Sequence, residues 1–147
     1  MPSEFEQDRQ RVLADIDAAR SDVLRLLGTL SAADLDIASR GSWSVRSVIQ
    51  HIILSEWGHT RGITRLLGAD DPQIPDAPPL ATLAEAIDAL ADSRAAHLSS
   101  VDGIEEDDFY RLASPRGGQE WSVMSFLEGT ADHDREHHAQ IEALLNR

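Results

Sequence analysis

The chain has 147 residues, a net charge of −13 and no cysteine. A chain of this length forms one domain and buries roughly two-thirds of its unfolded surface, so it needs neither a disulfide nor a metal to make a core. The missing cysteines exclude disulfides, thiolate metal sites and a cysteine nucleophile, and because all 13 basic residues are arginine, a lysine Schiff base is excluded as well.

The acidic charge and the first residues predict where the protein works. A surface of this charge repels nucleic acid and anionic membranes, because both bind to basic surfaces. The segment from Met1 to Glu6 lacks the basic and then apolar pattern of a signal peptide, and no apolar stretch approaches the roughly 20 residues of a membrane span. We therefore expect a cytoplasmic protein whose partner is a small molecule.

Four segments have the three- and four-residue spacing of apolar side chains that is typical of amphipathic helices. In chain order they cover residues 5–30, 44–68, 82–103 and 122–147. The third opens with Thr82 and Glu85, which have the spacing of a capping box. The second and third end at Gly68 and Gly103, because glycine commonly ends helices.

Three long connections separate these segments. Residues 31–43 and 104–121 are each expected to begin with a short helical turn, and residues 69–81 form an extended, proline-rich linker that includes Pro78. No segment shows the alternation of β-branched residues that a sheet requires. The sequence therefore predicts an all-α fold over residues 1–147, a four-helix bundle with long crossover connections.

A Trp-Ser-Val motif occurs twice, each time at the start of a predicted helix. Trp43 and Ser44 open the second segment, and Trp121 and Ser122 open the fourth, each after a short acidic stretch. The repetition fits an ancient duplication. It fits equally well two copies of one efficient helix start, with serine as the N-cap and an aromatic ring docked beside it.

Two histidines of the fourth segment, His133 and His137, lie on the face that is predicted to point into the bundle. A spacing of four residues separates them by about 40° around a helix and by about 6 Å along it, so both rings can reach one ion. The rest of this stripe consists of Val, Phe, Thr, Ile and Leu. Two buried imidazoles each need a polar partner, which a shared metal ion or separate core hydrogen bonds would supply.

A metal site needs a third protein ligand, and the second segment offers two candidates. His51 and His59 share one helix face, with Ser55 between them, but they lie about 12 Å apart along the helix and cannot easily bind the same ion. His51 is the better candidate because its helix carries little else polar at that depth, and His59 remains its rival. His97 fits a structural role, whereas His138 is rotated off the apolar stripe and fits a solvated position.

The run from His133 to His137 also fits the H-x-x-E-H motif of inverted zinc peptidases, in which the glutamate is the general base. That motif requires a further acidic ligand well downstream on another helix. Ten residues follow His137, and the one carboxylate among them, Glu142, lies on the same predicted helix. The chain is also far too short for that fold, so this interpretation is set aside.

The order of the motifs resembles that of the DinB/YfiT-like superfamily. Trp43-Ser44-Val45 stands eight residues before His51, counted from the tryptophan, and the last segment carries His-Asp-x-x-His-x-x-Gln-Ile from His133 to Ile141. The resemblance covers most of the chain, including its length and its four helices.

The resemblance implies a single DinB-like domain over residues 1–147, with helices in up-down-down-up order and often dimeric. It implies that His51, His133 and His137 bind a divalent metal ion such as zinc or nickel, which decides between His51 and His59. Some relatives use a low-molecular-weight thiol as cosubstrate: bacillithiol S-transferases and a mycothiol-dependent maleylpyruvate isomerase. The expected function is therefore a metal-dependent transferase that acts on a small electrophile.

An ion held by three neutral histidines keeps its full charge and an open face, which lowers the pKa of a bound thiol or water. A metal-dependent hydrolase is therefore an alternative. A second alternative is a non-catalytic metal-binding bundle that acts through protein partners. Around the ligands, Asp134 is expected to orient a ligand histidine, and Gln140 to hydrogen-bond a ligand or substrate or to cap the core. Ser55 and His59 are the other candidates near the site, and Glu136 is expected to point to another side of the helix.

Overall fold

The computed structural model describes residues 1–77 and 79–146, and these residues form a bundle of four long helices. The elements are, in chain order, α1 (Glu4–Leu27), a 3₁₀ turn (Ala32–Asp36), α2 (Val45–Leu66), α3 (Leu83–Ser100), the five-residue α4 (Glu106–Tyr110) and α5 (Val123–Leu145). No strand forms within the described residues, so the predicted all-α fold is confirmed. Pro78 of the predicted linker and Arg147 of the predicted last helix lie outside the described residues. None of the described helices is long and apolar enough to cross a membrane.

Side-chain caps fix where the helices begin. Ser44 and Ser122 accept hydrogen bonds from backbone N–H groups three residues further on, as expected for the N-caps of α2 and α5. Thr82 likewise accepts from the N–H of Glu85, but the Glu85 carboxylate accepts from the N–H of Ala81. The predicted capping box of α3 is therefore only half formed, because its glutamate reaches one residue further back than that motif requires.

Contacts between the helices give the up-down-down-up order. Glu56 and Thr60 of α2 contact Ser93 and His97 of α3 in ascending order, so these two helices run parallel. Residues further along α5 contact residues further along α1, so α1 and α5 run parallel. The contacts between α5 and α2 run in the opposite order, so these two helices are antiparallel. Because α2 and α3 are parallel neighbours, the chain must cross the length of the bundle between them, and residues 67–82 make this crossover.

The two Trp-Ser-Val motifs have similar backbone surroundings. Each follows a short helical turn, and each connection closes with an isolated antiparallel bridge, from Ala38 to Ser44 in the first and from Ala113 to Trp121 in the second. The bridges hold the starts of α2 and α5 in comparable positions. The similarity fits a duplication and a repeated local helix start equally well.

A layer of charged side chains, three of them buried and Arg94 partly buried, lies between the two apolar clusters of the core. Arg20 of α1 and Arg94 of α3 form ion pairs with Glu56 of α2 and Asp134 of α5, at N···O distances from 2.7 to 3.3 Å. Burial by itself would raise the pKa of Glu56, but the two guanidinium groups hold it below its ordinary value. Since each of the four long helices contributes one charge, the layer ties their registers together.

Candidate metal centre

Three histidine side chains converge where α2 passes α5. Nε2 of His133 lies 3.0 Å from Nε2 of His51 and 3.0 Å from Nε2 of His137. All three ligand nitrogens lie within 4.8 Å of one another, and the group could hold a metal ion. The structure thus brings together the three residues that the sequence analysis proposes as ligands.

The helix geometry explains this convergence. His133 and His137 stand one turn apart on α5, so their rings point to the same side of the helix. The antiparallel α2 presents His51 to that side, and the ring of Trp43, in the loop before α2, packs with its centroid 4.8 Å from the ring centroid of His51. Two rigid helices therefore set the positions of all three rings.

The hydrogen bond between His137 and Gln140 fixes the tautomer of that histidine. Nδ1 of His137 lies 2.7 Å from the amide oxygen of Gln140, which can only accept, so in the neutral ring the proton sits on Nδ1 and Nε2 carries a lone pair. Of the two roles that the sequence left open for Gln140, the structure selects the bond to a ligand histidine. Such a partner is a regular feature of metal-binding imidazoles.

The proton count of the cluster suits a cation. With Nε2 of His137 unprotonated, His133 can donate one proton to it or accept one from His51, but it cannot do both from the same nitrogen. One of the two 3.0 Å contacts therefore has no shared proton. Nitrogens that bind zinc at about 2.0–2.1 Å in a tetrahedron lie about 3.3 Å apart. The spacing and the donor set both fit a divalent ion.

The surroundings of His133 and His51 favour the neutral form of the ring, which is the form that binds a metal. Burial, together with the neighbouring His137 and His51, lowers the pKa of His133 to about 4. The pKa of His51 is also lowered, chiefly by burial and then by His137, against the opposing field of the Glu136 carboxylate. Both rings are therefore unprotonated at neutral pH.

The other residues predicted near the site lie elsewhere. Asp134 is buried, but its carboxylate bonds to Arg20 and Arg94 and takes part in the charged layer. The expected bond from Asp134 to a ligand histidine does not occur, because residue 134 is rotated by about 100° from His133 around α5. Ser55 is half-buried on α2 and does not line the cleft described below.

His59, the rival candidate, takes part in a separate chain of hydrogen bonds. Its Nδ1 lies 2.8 Å from the Thr130 hydroxyl, which lies 3.0 Å from Nε2 of His97, and Nδ1 of His97 lies 2.9 Å from the Thr60 hydroxyl. Burial lowers the pKa of His97 to about 4, against the pull of the Glu56 carboxylate. His97 thus has the structural place in the core that the sequence suggested.

An open cleft of about 650 Å³ adjoins the three histidines. Its wall also contains Gly41, Ser42 and Trp43 from the loop before α2, and Glu136 and Gln140 from α5. The cleft gives a small molecule direct access to the histidine cluster.

Glu136 lies in a different place from the one predicted. The sequence predicts that it points to another side of the helix than the ligands, yet it lines the cleft beside them. Its angle around α5 is about 60° from His133 and about 40° from Gln140, on the same side as both. This helical angle was readable from the sequence, but which flank of the stripe opens to solvent was not.

Comparisons with known proteins agree with this architecture. The DinB superfamily matches the chain over residues 15–141. The chain belongs to the DinB superfamily. A solved structure, the crystal structure of TT2238, a four-helix bundle protein, is 22% identical, with a TM-score of 0.72 over 91% of this chain and 98% of that one. A search of curated proteins found no match.

Membership of the DinB superfamily confirms the resemblance seen in the sequence, and the likeness to TT2238 confirms the four-helix fold. In this DinB-superfamily chain the histidines of the motif, the glutamine three residues after His137 and the cleft beside them form one continuous site.

Proposed function

We propose that this DinB-superfamily protein binds a divalent metal ion through His51, His133 and His137 and transfers a low-molecular-weight thiol to a small electrophile in the adjoining cleft. The observation that carries the proposal is the convergence of three histidine ring nitrogens on an open cleft. A bound divalent ion of this kind supplies Lewis acidity, which lowers the pKa of a thiol or water at its open face. Zinc and nickel are the ions that we propose.

The chain's own residues support binding and orientation. Gln140 holds the proton of His137 on Nδ1 and so keeps Nε2 available. Trp43 packs against His51 and forms one wall of the cleft. Because the chain contains no cysteine, the thiol has to be a cosubstrate that enters this cleft from solution. The cleft volume suits a ligand of that size.

The same arrangement would serve a hydrolase, with water in place of the thiol, and a non-catalytic metal-binding protein is the third candidate. A non-catalytic site is expected to have a closed ligand shell. The opening of the cleft directly onto the histidine cluster favours the two catalytic candidates. The thiol dependence of any turnover separates the transferase from the hydrolase.

The first experiment measures divalent metals in the purified protein by elemental analysis. We expect one zinc or nickel ion per chain, and its loss in His133→Ala. His138→Ala is the matched control, because His138 lies on the same helix but pairs with Glu142 at 3.0 Å outside the cluster. A native protein that cannot be loaded with either ion would refute the proposal.

The second experiment supplies a chromogenic electrophile to the metal-loaded protein, with and without a panel of small thiols. Turnover that requires both metal and thiol supports the transferase, and turnover with metal alone supports the hydrolase. If neither occurs while the metal is bound, the non-catalytic candidate is favoured.

Two expectations from the sequence remain predictions. A homodimer is expected from the resemblance, and light scattering coupled to size-exclusion chromatography measures it. We also propose the cytoplasm as the location, since low-molecular-weight thiols are kept reduced there. Fractionation of cells that express a tagged chain tests this.

A further inference from the structure

Glu136 differs from the other carboxylates of α5. Glu128, Asp132, Asp134 and Glu142 each pair with an arginine or histidine within 4.0 Å. Glu136 makes no such pair with any residue in 1–77 or 79–146, and it is exposed in the cleft beside the three histidines. Its charge therefore faces the space that a ligand would occupy, and no cation among the described residues pairs with it.

The remaining cleft wall is uncharged. It consists, among the described residues, of Gly41, Ser42, Trp43, Gln140 and the three histidines, which are neutral in the metal-binding form. A bound divalent ion would add its own positive charge at the histidines, and Glu136 would then be the negative side chain on the wall beside it. Compared with a neutral side chain at position 136, its carboxylate attracts a cationic group of the ligand and repels an anionic one.

Trp43 adds a second feature that suits a cation. Trp43 as a residue is 47% exposed, and it lines the same cleft from the α2 side. The face of an indole ring attracts an ammonium group through its quadrupole, and tryptophan is the best of the aromatic side chains for this contact. A carboxylate from α5 and an aromatic ring from the loop before α2 thus act on one cleft.

From these observations we infer that the cleft selects a small molecule that carries an ammonium group close to the atom that reaches the three histidines, and that Glu136 is the specificity-determining residue. An aminothiol has this chemistry. The inference rests on the proposed function and names the substrate class of the same site. Glu136 lies outside the group of residues that could hold the metal, so its role is in ligand choice.

The test compares three two-carbon thiols that differ in charge: cysteamine is cationic, 2-mercaptoethanol is neutral and mercaptoacetate is anionic. Their dissociation constants are measured by isothermal titration calorimetry on zinc-loaded wild type and on zinc-loaded Glu136→Gln. Each thiol is compared with itself between the two proteins, so its intrinsic acidity cancels. Glu142→Gln is the matched control, with the same change of charge on the same helix outside the cleft.

We expect Glu136→Gln to weaken cysteamine binding by about threefold to tenfold, which is the size of a partly exposed ion pair with some cation–π support. Binding of 2-mercaptoethanol should change less than about twofold, and mercaptoacetate should bind about twofold to fivefold more tightly. All three should be unchanged in Glu142→Gln. The zinc content of each variant is measured first and should equal that of wild type.

The outcomes separate this inference from the proposed function. One outcome is that the thiols bind to the zinc-loaded protein while Glu136→Gln weakens the binding of cysteamine no more than that of 2-mercaptoethanol. In that case the inference is overturned and the proposed function stands. A loss of zinc from Glu136→Gln also overturns it, because Glu136 would then act on the metal. If zinc binds and none of the three thiols does, the thiol-transferase proposal fails, and this inference fails with it.

Discussion

The bond between Gln140 and His137 gives a sharp test of the metal centre. We consider Gln140→Leu, which removes the acceptor for the Nδ1 proton of His137 but keeps a side chain of similar length on the helix. The bond is 2.7 Å long and only partly buried, so water can replace part of it in the variant. A hydrogen bond of this kind contributes about 1–1.5 kcal/mol, and 1.4 kcal/mol is a tenfold change in affinity.

We therefore expect Gln140→Leu to raise the zinc dissociation constant about tenfold, at the lower end of the range of about 10- to 100-fold known for partners of ligand histidines. The assay is competition with a chromophoric chelator at neutral pH. Gln140→Glu retains an acceptor and should bind zinc at least as tightly as wild type. Gln10→Leu, at an exposed position on α1, controls for the general effect of a glutamine-to-leucine change.

An unchanged dissociation constant in Gln140→Leu would refute the reasoning, since it would mean that the tautomer of His137 does not depend on residue 140. A tenfold loss in Gln140→Glu would also refute it. The thermal midpoint of each metal-free variant is measured in parallel, so that a folding defect is not taken for a loss of metal affinity.

Three other predictions concern stability. Asp134→Ala leaves the buried Arg20 and the partly buried Arg94 short of a carboxylate and should lower the free energy of unfolding by about 3–5 kcal/mol in urea titrations. A loss below about 1 kcal/mol would contradict the account of the charged layer. Gly62→Ala should destabilise the fold by about 1–3 kcal/mol, because the added Cβ would lie 2.4 Å from a ring carbon of Phe126. Gly58→Ala is its control: the added Cβ would lie 3.7 Å from the Arg116 side chain, so this variant should be neutral or gain up to about 1 kcal/mol from helix propensity. The pKa of His97 falls to about 4 on folding, so its contribution to the free energy of unfolding is fully present above pH 6.5 and is lost as the pH falls toward 4. His97→Gln should therefore remove about 3 kcal/mol of the pH dependence of stability, which denaturation across that pH range measures.

Local features of this chain could be predicted from the sequence because their causes are local. Helical periodicity and N-capping depend on residues within a turn or two, and Ser44 and Ser122 begin their helices where the sequence places them. The shared face of His133 and His137 follows from their four-residue spacing. The motifs also indicated the superfamily, and through it the helix order.

The half-formed capping box of α3 shows the limit of such local rules. Thr82 and Glu85 have the spacing of the motif, yet the carboxylate bonds to Ala81. The carboxylate can exchange one donor for the other at little cost, since each backbone N–H at a helix start needs an acceptor and either N–H can donate to it. Spacing therefore predicted the start of the helix but not the full set of bonds.

The tertiary structure decided which distant residues meet. Asp134 lies on a helix flank that the sequence could identify, but its partner Arg20 is 114 residues away, and only the packing of α1 against α5 brings them together. In the same way, the direction of α2 along α5 brings a ring nitrogen of His51 to 3.0 Å from one of His133, whereas the ring centroid of His59 stays 6.3 Å from that of His133. The loop before α2 leaves the flank that carries Glu136 open. Burial and charge pairing between helices are properties of the whole bundle, so the periodicity of one segment does not contain them.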